Sequence, residues 1–143
     1  MKKHFTSSAI IVEQNKILLI FHKKLGVWLY PGGHIEEDEH PDEALLREVK
    51  EETGLDVEII ENKDDSLSNI GEDVTSLNIP YAVLCERVNG HYHNDLIYLC
   101  KLKNKSDFNK FESKEEIGFF SLEETGKLKL FDNFRILINK VLN

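Results

Sequence analysis

The residues best placed to do chemistry lie between Gly33 and Leu55. The segment carries Gly33, Glu39, Arg47-Glu48-Val49, Glu51-Glu52 and Gly54-Leu55, in the spacing G-x5-E-x7-R-E-U-x-E-E-x-G-U with U aliphatic. An α-helix turns about 100° per residue. With Glu48 at the origin, Glu51 falls at about −60° and Glu52 at about 40°, so three carboxylates share a sector of about 100°. Leu45, Val49, Thr53 and Leu46 fall between about 60° and 160°, which places the acids beside the expected apolar stripe. Like charges at this spacing cost a few tenths of a kcal/mol per pair on a bare helix. A hard divalent cation reverses that sign. Mg²⁺ takes oxygen ligands, prefers one or two carboxylates and completes its shell with water and phosphate oxygens; Mn²⁺ accepts the same donors. Arg47 stands four residues from both Glu43 and Glu51, where it orients a carboxylate or ties the helix to the preceding loop. Glu39 precedes the helix and either orients Arg47 or accepts from the terminal amides. Pro31-Gly32-Gly33-His34 lets the backbone turn sharply and approach a ligand closely.

The elements that must hold these residues follow from local pattern. Residues 41–53 read as a helix, with Pro41, Asp42 and Glu43 in the first turn and Gly54 just past the end. Thr6–Val12 and Ile17–Phe21 read as a hairpin. Trp28–Tyr30 is a short strand, and so is Asp56–Ile60. Tyr81–Val88 and His91–Leu102 flank Asn89-Gly90, the strongest two-residue turn signal. Ile117–Ser121 is a further strand, and Asp132–Leu142 carries Phe134, Leu137, Ile138 and Val141 at helical spacing. Residues 62–79 read as an irregular excursion. Mixed strands with two main helices predict a layered α/β domain, and 143 residues predict a single domain over 1–143.

The motif resembles the Nudix box, with every fixed position present. At this composition such a match arises in about one chain in a million. The resemblance implies an α/β/α sandwich around a mixed sheet, and hydrolysis of a phosphoanhydride in a nucleoside diphosphate linked to another moiety. It implies Glu48, Glu51 and Glu52 as metal ligands, Glu48 and Glu52 foremost, with the Gly33 carbonyl as a further one. Mg²⁺ is the implied cofactor, with Mn²⁺ as the substitute. The general base varies in this family. It is either Glu52 in the box, with Arg47 and Glu51 supporting, or Glu115 or Glu116 in the loop before a late strand. His93 and Asp95 resemble a His/Asp pair that relatives place near the substrate, and alternation puts them with His91 on the face away from Tyr98. Trp28 and Tyr30 either stack on a nucleotide or pack in the core. Ser68-Asn69-Ile70-Gly71 lacks the Tyr or Pro that marks some dinucleoside polyphosphate and ADP-ribose subgroups.

Charge narrows the partners. The net charge is −8, and residues 36–52 alone hold nine acidic and two basic side chains. So acidic a chain is a poor nucleic-acid binder, and a small nucleotide is the substrate that the resemblance implies. No run approaches the roughly 20 apolar residues of a membrane span, and no signal-peptide pattern opens the chain. Cys85 and Cys100 read as reduced core thiols, which fits a cytoplasmic protein. A homodimer is compatible with the sequence. The competing readings are a non-catalytic nucleotide-sensing module on the same fold and an acidic interaction protein.

Overall fold

The computed structural model describes residues 1–68 and 73–143; Asn69-Ile70-Gly71 lie outside them. The elements run β1 (Lys3–Glu13), β2 (Lys16–His22), β3 (Val27–Leu29), β4 (Gly32–His34), α1 (Pro41–Thr53), β5 (Val57–Ile59), β6 (Ala82–Val88), β7 (His91–Leu102), β8 (Ile117–Phe120), α2 (Leu122–Thr125) and α3 (Asp132–Val141). Short 3-10 turns cover Asp65–Leu67 and Lys105–Phe111.

Two long strands form the spine. β1 runs parallel to β7, from Lys3 opposite Tyr92 to Ile11 opposite Cys100. Each divides its other edge between two antiparallel neighbours. β1 takes β4 at Thr6–Ser8 and β2 at Val12–Glu13. β7 takes β6 along His91–Ile97 and β5 along Cys100–Leu102. β3 and β8 complete an eight-stranded mixed sheet by pairing with β2.

Alternation sorts the side chains of this sheet into two cores. Ala9, Ile11, Leu18, Tyr98 and Cys100 face α1, which buries Leu45 and Val49 against them. Ile10, Ile17, Leu19, Ile97 and Phe120 face α3, which buries Phe134, Leu137 and Ile138. A helix therefore covers each face of the sheet, the α/β/α arrangement expected.

α1 occupies residues 41–53, as the pattern predicts. The Glu43 carboxylate accepts from the His40 backbone N–H at 2.9 Å. Gly54 adopts φ 76° and donates to the Lys50 carbonyl at 2.9 Å, a left-handed cap that favours glycine. The buried stripe is rotated from expectation. Leu46 is 42% exposed, and Ala44 is buried in its place. Ala44 lies at about −40° on the wheel, so the stripe passes under Glu48 rather than beside it.

Other departures have local causes. Gly32–His34 form a strand rather than a turn, with no positive φ. A Cβ at Gly32 would sit 2.7 Å from the Ser7 carbonyl oxygen and 2.8 Å from the Ser8 Cα. Its glycine is required by the closeness of β1. Cys85 is exposed, because alternate residues of β6 face outward; only Cys100 is buried. Among the described residues no helix is long and apolar enough to cross a membrane.

Truncating the fully buried Leu45 removes the contact between α1 and the sheet. Leu45→Ala is expected to cost about 2–5 kcal/mol, measured by urea unfolding at constant m-value.

Candidate active site

One guanidinium organises the acidic segment. Arg47 donates through Nε to Glu39 Oε2 at 2.7 Å and through Nη2 to Glu39 Oε1 at 2.8 Å, a two-pronged pairing. Its Nη1 donates to Glu48 Oε1 at 2.9 Å and reaches Glu51 Oε2 at 3.4 Å. Nη2 also donates to the His34 carbonyl at 3.1 Å. Arg47 thus joins the glycine strand, the connecting loop and the helix. Of the two roles open to Glu39, it takes Arg47; its carboxylate also accepts from the backbone N–H of Glu36 in the loop, at 3.0 Å. Hydrogen bonds from Arg47 hold the Glu39 carboxyl well down, at about 2, and the same pairing raises the Arg47 pKa.

Glu48 and Glu52 meet the two glycines of β4. Glu52 Oε1 accepts from the Gly32 N–H at 3.1 Å. A Cβ on Gly33 would lie 2.6 Å from Glu48 Oε1, so this carboxylate fills the space a side chain would take. Glu51 is exposed and points further out, as the wheel predicts. Close packing of its carboxyl pushes the Glu52 pKa up to about 7, with the charges of Glu48 and Glu51 adding to the rise, although one side of the residue remains open to solvent. Glu48 and Glu51 share one guanidinium and Glu52 accepts from the Gly32 N–H, so the three carboxylates are a hard oxygen donor set short of positive charge. These residues fit a Mg²⁺- or Mn²⁺-type ion.

Behind the glycines opens a cavity of about 310 Å³, lined among others by Tyr30, Gly32, Gly33, His93 and Asp95. Asp95 is 2% exposed. Its Oδ1 accepts from Thr6 Oγ1 at 2.8 Å and Ser8 Oγ at 2.7 Å, and its Oδ2 accepts from the Tyr30 hydroxyl at 3.0 Å. A buried carboxylate needs such donors. Burial, followed by the Asp95 charge, raises the Tyr30 pKa, so its hydroxyl stays a donor. Glu86 of β6 also lines the cavity. Burial and then the Asp95 charge push its pKa up to about 7.

The structure thus brings Gly33, Arg47, Glu48, Glu51 and Glu52 together, and sets Tyr30, His93 and Asp95 in the adjoining cavity. It does not bring in three other expected residues. Trp28 packs between Phe21 and Phe120, at ring-centroid distances of 5.4 and 5.0 Å, and does not line the cavity. Glu116 pairs with Lys23 at 2.7 Å on the surface. Glu115 is exposed, and no hydrogen bond links it to the box carboxylates. Thr6, Ser8 and Glu86 were not anticipated. For the first two a signal was present: the hydroxyls at positions 6 and 8 share one face of β1 with the core residue Ile10.

A family model described as NUDIX domain matches residues 2–138. The chain is similar to the 8-oxo-dGTP diphosphatase of Proteus vulgaris, 38% identical over 61 residues, covering 39% of this chain and 54% of that one. It is similar to the probable DHNTP pyrophosphohydrolase of Lactococcus lactis subsp. cremoris, 30% identical over 120 residues, covering 82% of this chain and 63% of that one. The chain spans about half the length, or less, of the first curated relatives it matches. Its fold is similar to that of a NUDIX-family hydrolase from Clostridium perfringens, with TM-score 0.79 and 29% identity, covering 99% of this chain and 97% of that one.

Two expectations arise here. Gly33→Ala displaces the Glu48 carboxylate and is expected to weaken divalent-cation affinity by roughly tenfold or more, read by calorimetry; unchanged affinity would show that Glu48 does not need this position. Glu86 is a carboxyl whose folded pKa lies above its ordinary 4.5. The folded state favours its protonated form, so its stabilisation is full below 4.5 and is lost as pH rises through about 7. Glu86→Gln removes that loss, so its unfolding free energy should decline less between those pH values than that of the wild type.

Proposed function

Because the chain belongs to the Nudix family, we propose that it is a divalent-cation-dependent pyrophosphohydrolase. It cleaves a phosphoanhydride bond in a nucleoside diphosphate linked to another moiety, such as a nucleoside triphosphate or another nucleotide derivative. One observation carries this reading. Gly32 and Gly33 line the cavity on one side, while Glu52 and Glu48 hold to the same two residues on the other. A nucleotide in the cavity would present its phosphates to the carboxylates across the two glycines of β4, which carry no side chains.

Glu48 and Glu52 are assigned as the ligands of Mg²⁺ or Mn²⁺, with Glu51 and the Gly33 carbonyl as further donors. Bound there, the ion supplies charge to neutralise phosphate oxygens and to lower the pKa of water. Glu52 is assigned as the proton acceptor, because a carboxylate at the ion stands within reach of a water that the ion polarises. Glu115 and Glu116 stand as the second choice for that role, on an exposed loop. Arg47 is a positioning residue: it sets Glu48 and Glu51 and fixes the His34 carbonyl. Tyr30, His93 and Asp95 are assigned to the nucleotide, with Asp95 held by Thr6, Ser8 and Tyr30. Trp28 contributes by holding β3 in place through Phe21 and Phe120.

The match over residues 2–138 supports reading the chain as one Nudix unit, and two free thiols support a reducing compartment such as the cytoplasm. The substrate is proposed to be a small nucleotide rather than long nucleic acid, given the charge of −8.

The test is hydrolysis with Mg²⁺ across nucleoside triphosphates, oxidised triphosphates, ADP-ribose, nucleotide sugars, CDP-alcohols and dinucleoside polyphosphates, with products identified. Glu52→Gln is expected to lower turnover of the preferred substrate by about a hundredfold or more while the circular dichroism spectrum is retained. Turnover equal to wild type would sink the assignment. Nucleotide binding with no turnover anywhere would transfer the reading to a sensing module. Millimolar Mg²⁺ should also raise Tm, because an ion that binds only the folded state stabilises it by mass action.

A further inference from the structure

Four histidines cluster beside the cavity, with His34 and His93 in its lining, and strand register places them there. His4 and His93 are paired directly across the β1–β7 ladder. Thr6, two residues along β1, pairs with His34 of β4. His91 lies two residues before His93 and shares its face. Ring centroids lie 4.8 Å apart for His91 and His93, 5.0 Å for His34 and His93, and 5.2 Å for His4 and His34. His4 Nδ1 is 3.2 Å from His34 Nε2, and His91 Nε2 is 3.0 Å from His93 Nε2. One ring nitrogen each from His4, His34 and His93 lies within 4.8 Å of the other two.

This donor set differs in kind from the carboxylates. Imidazole nitrogen suits Zn²⁺, Cu²⁺ and Ni²⁺, whereas Mg²⁺ demands oxygen. An N···N contact of this length requires one ring to donate and the other to accept, so the two cannot both be protonated. Neutral imidazole is the ligand form. In a tetrahedral site with Zn–N near 2.1 Å, ligand nitrogens lie about 3.4 Å apart. The three rings must therefore close by at most about an ångström and a half, within reach of side-chain rotation for the exposed His34 and half-buried His4.

We propose that His4, His34 and His93 form a transition-metal site of Zn²⁺ type, separate from the carboxylate edge, with His91 beside it as the fourth donor. It shares His93 with the cavity assigned to the nucleotide, but its test reads metal binding and does not depend on hydrolysis. Its occupant ties three strands together. His4 lies near the start of β1, and His93 lies on β7. His34 directly follows Gly33, and its carbonyl accepts from Arg47. A bound ion thus clamps the strand that carries Gly32 and Gly33 to the centre of the sheet.

The experiment titrates ZnCl₂ into chelator-stripped protein by calorimetry, with millimolar MgCl₂ in excess to occupy the carboxylates. The expected result is one Zn²⁺ per chain with Kd of about 10 µM or tighter. His4→Gln and His93→Gln should each weaken it by roughly tenfold or more. His40→Gln, a histidine outside the cluster, should not. Zn²⁺ should also shift the imidazole NMR resonances of His4, His34 and His93 in the wild type and leave that of His40 in place, a reading that needs no variant to fold. Weaker binding than this, binding that both cluster variants retain, or shifts confined to other residues would overturn the proposal.

Discussion

The fork between Arg47 and Glu39 is the contact on which the acidic site depends. Nine carboxylates between residues 36 and 52 repel one another with only two cations among them, and α1 would gain nothing by gathering three of them at one end. Arg47 turns that liability into geometry. Its two short bonds to Glu39 tether the connecting loop to the helix. Its remaining donors fix Glu48, whose carboxylate fills the space left by Gly33, and the His34 carbonyl. It offers too few charges to neutralise the whole cluster; burial raises the Glu52 pKa most, and the uncompensated charges of Glu48 and Glu51 add to the rise. A lysine could not take its place, because an ammonium lacks the planar fork that grips Glu39 while other donors reach Glu48 and His34.

A second constraint is that β1 gives its outer edge to two strands. Where β4 pairs with Thr6–Ser8, the chains run close enough that Gly32 admits no side chain. The face of β1 that supplies core residues at Ile10 supplies hydroxyls at Thr6 and Ser8. The sheet changes along one strand from a packing surface to a polar floor for Asp95. Cavity and core are thus two ends of the same row of side chains, and the carboxylate edge adjoins that row through the glycines.

Much of this was legible in the residues themselves. The spacing of Glu48, Glu51 and Glu52 announced a shared edge, Gly54 announced the end of α1, and Asn89-Gly90 announced the β6–β7 hairpin. These are local signals, set by helical period or by the φ values that a turn demands. What stayed hidden depends on pairing between distant segments. No local pattern says that Gly32–His34 will pair with Thr6–Ser8, so a strand looked like a turn. The meeting of His4 with His93, and of Thr6 and Ser8 with Asp95, rests on a ladder joining residues about ninety apart. The rotated stripe of α1 had a similar origin. The wheel locates neighbours on the helix, but the sheet beneath decides which of Ala44 and Leu46 is covered. Trp28 was ambiguous from composition alone, and its rings' neighbours, Phe21 and Phe120, come from strands that only the fold brings together.

The parallel pairing of β1 with β7 also orders events in time. The strand that is synthesised first acquires its long partner only when residues near 100 have emerged, and closing so long a loop is slow. Until then Ala9, Ile10 and Ile11 have no cover on that edge, and the nascent chain presents an apolar strand to its surroundings. The helix with its carboxylates can form early, from local contacts, but the cavity beside it cannot. A product broken off before β7 would carry the whole acidic motif with no Asp95 at all. The order of the strands along the chain therefore keeps the complete site from existing in any fragment that stops short of β7.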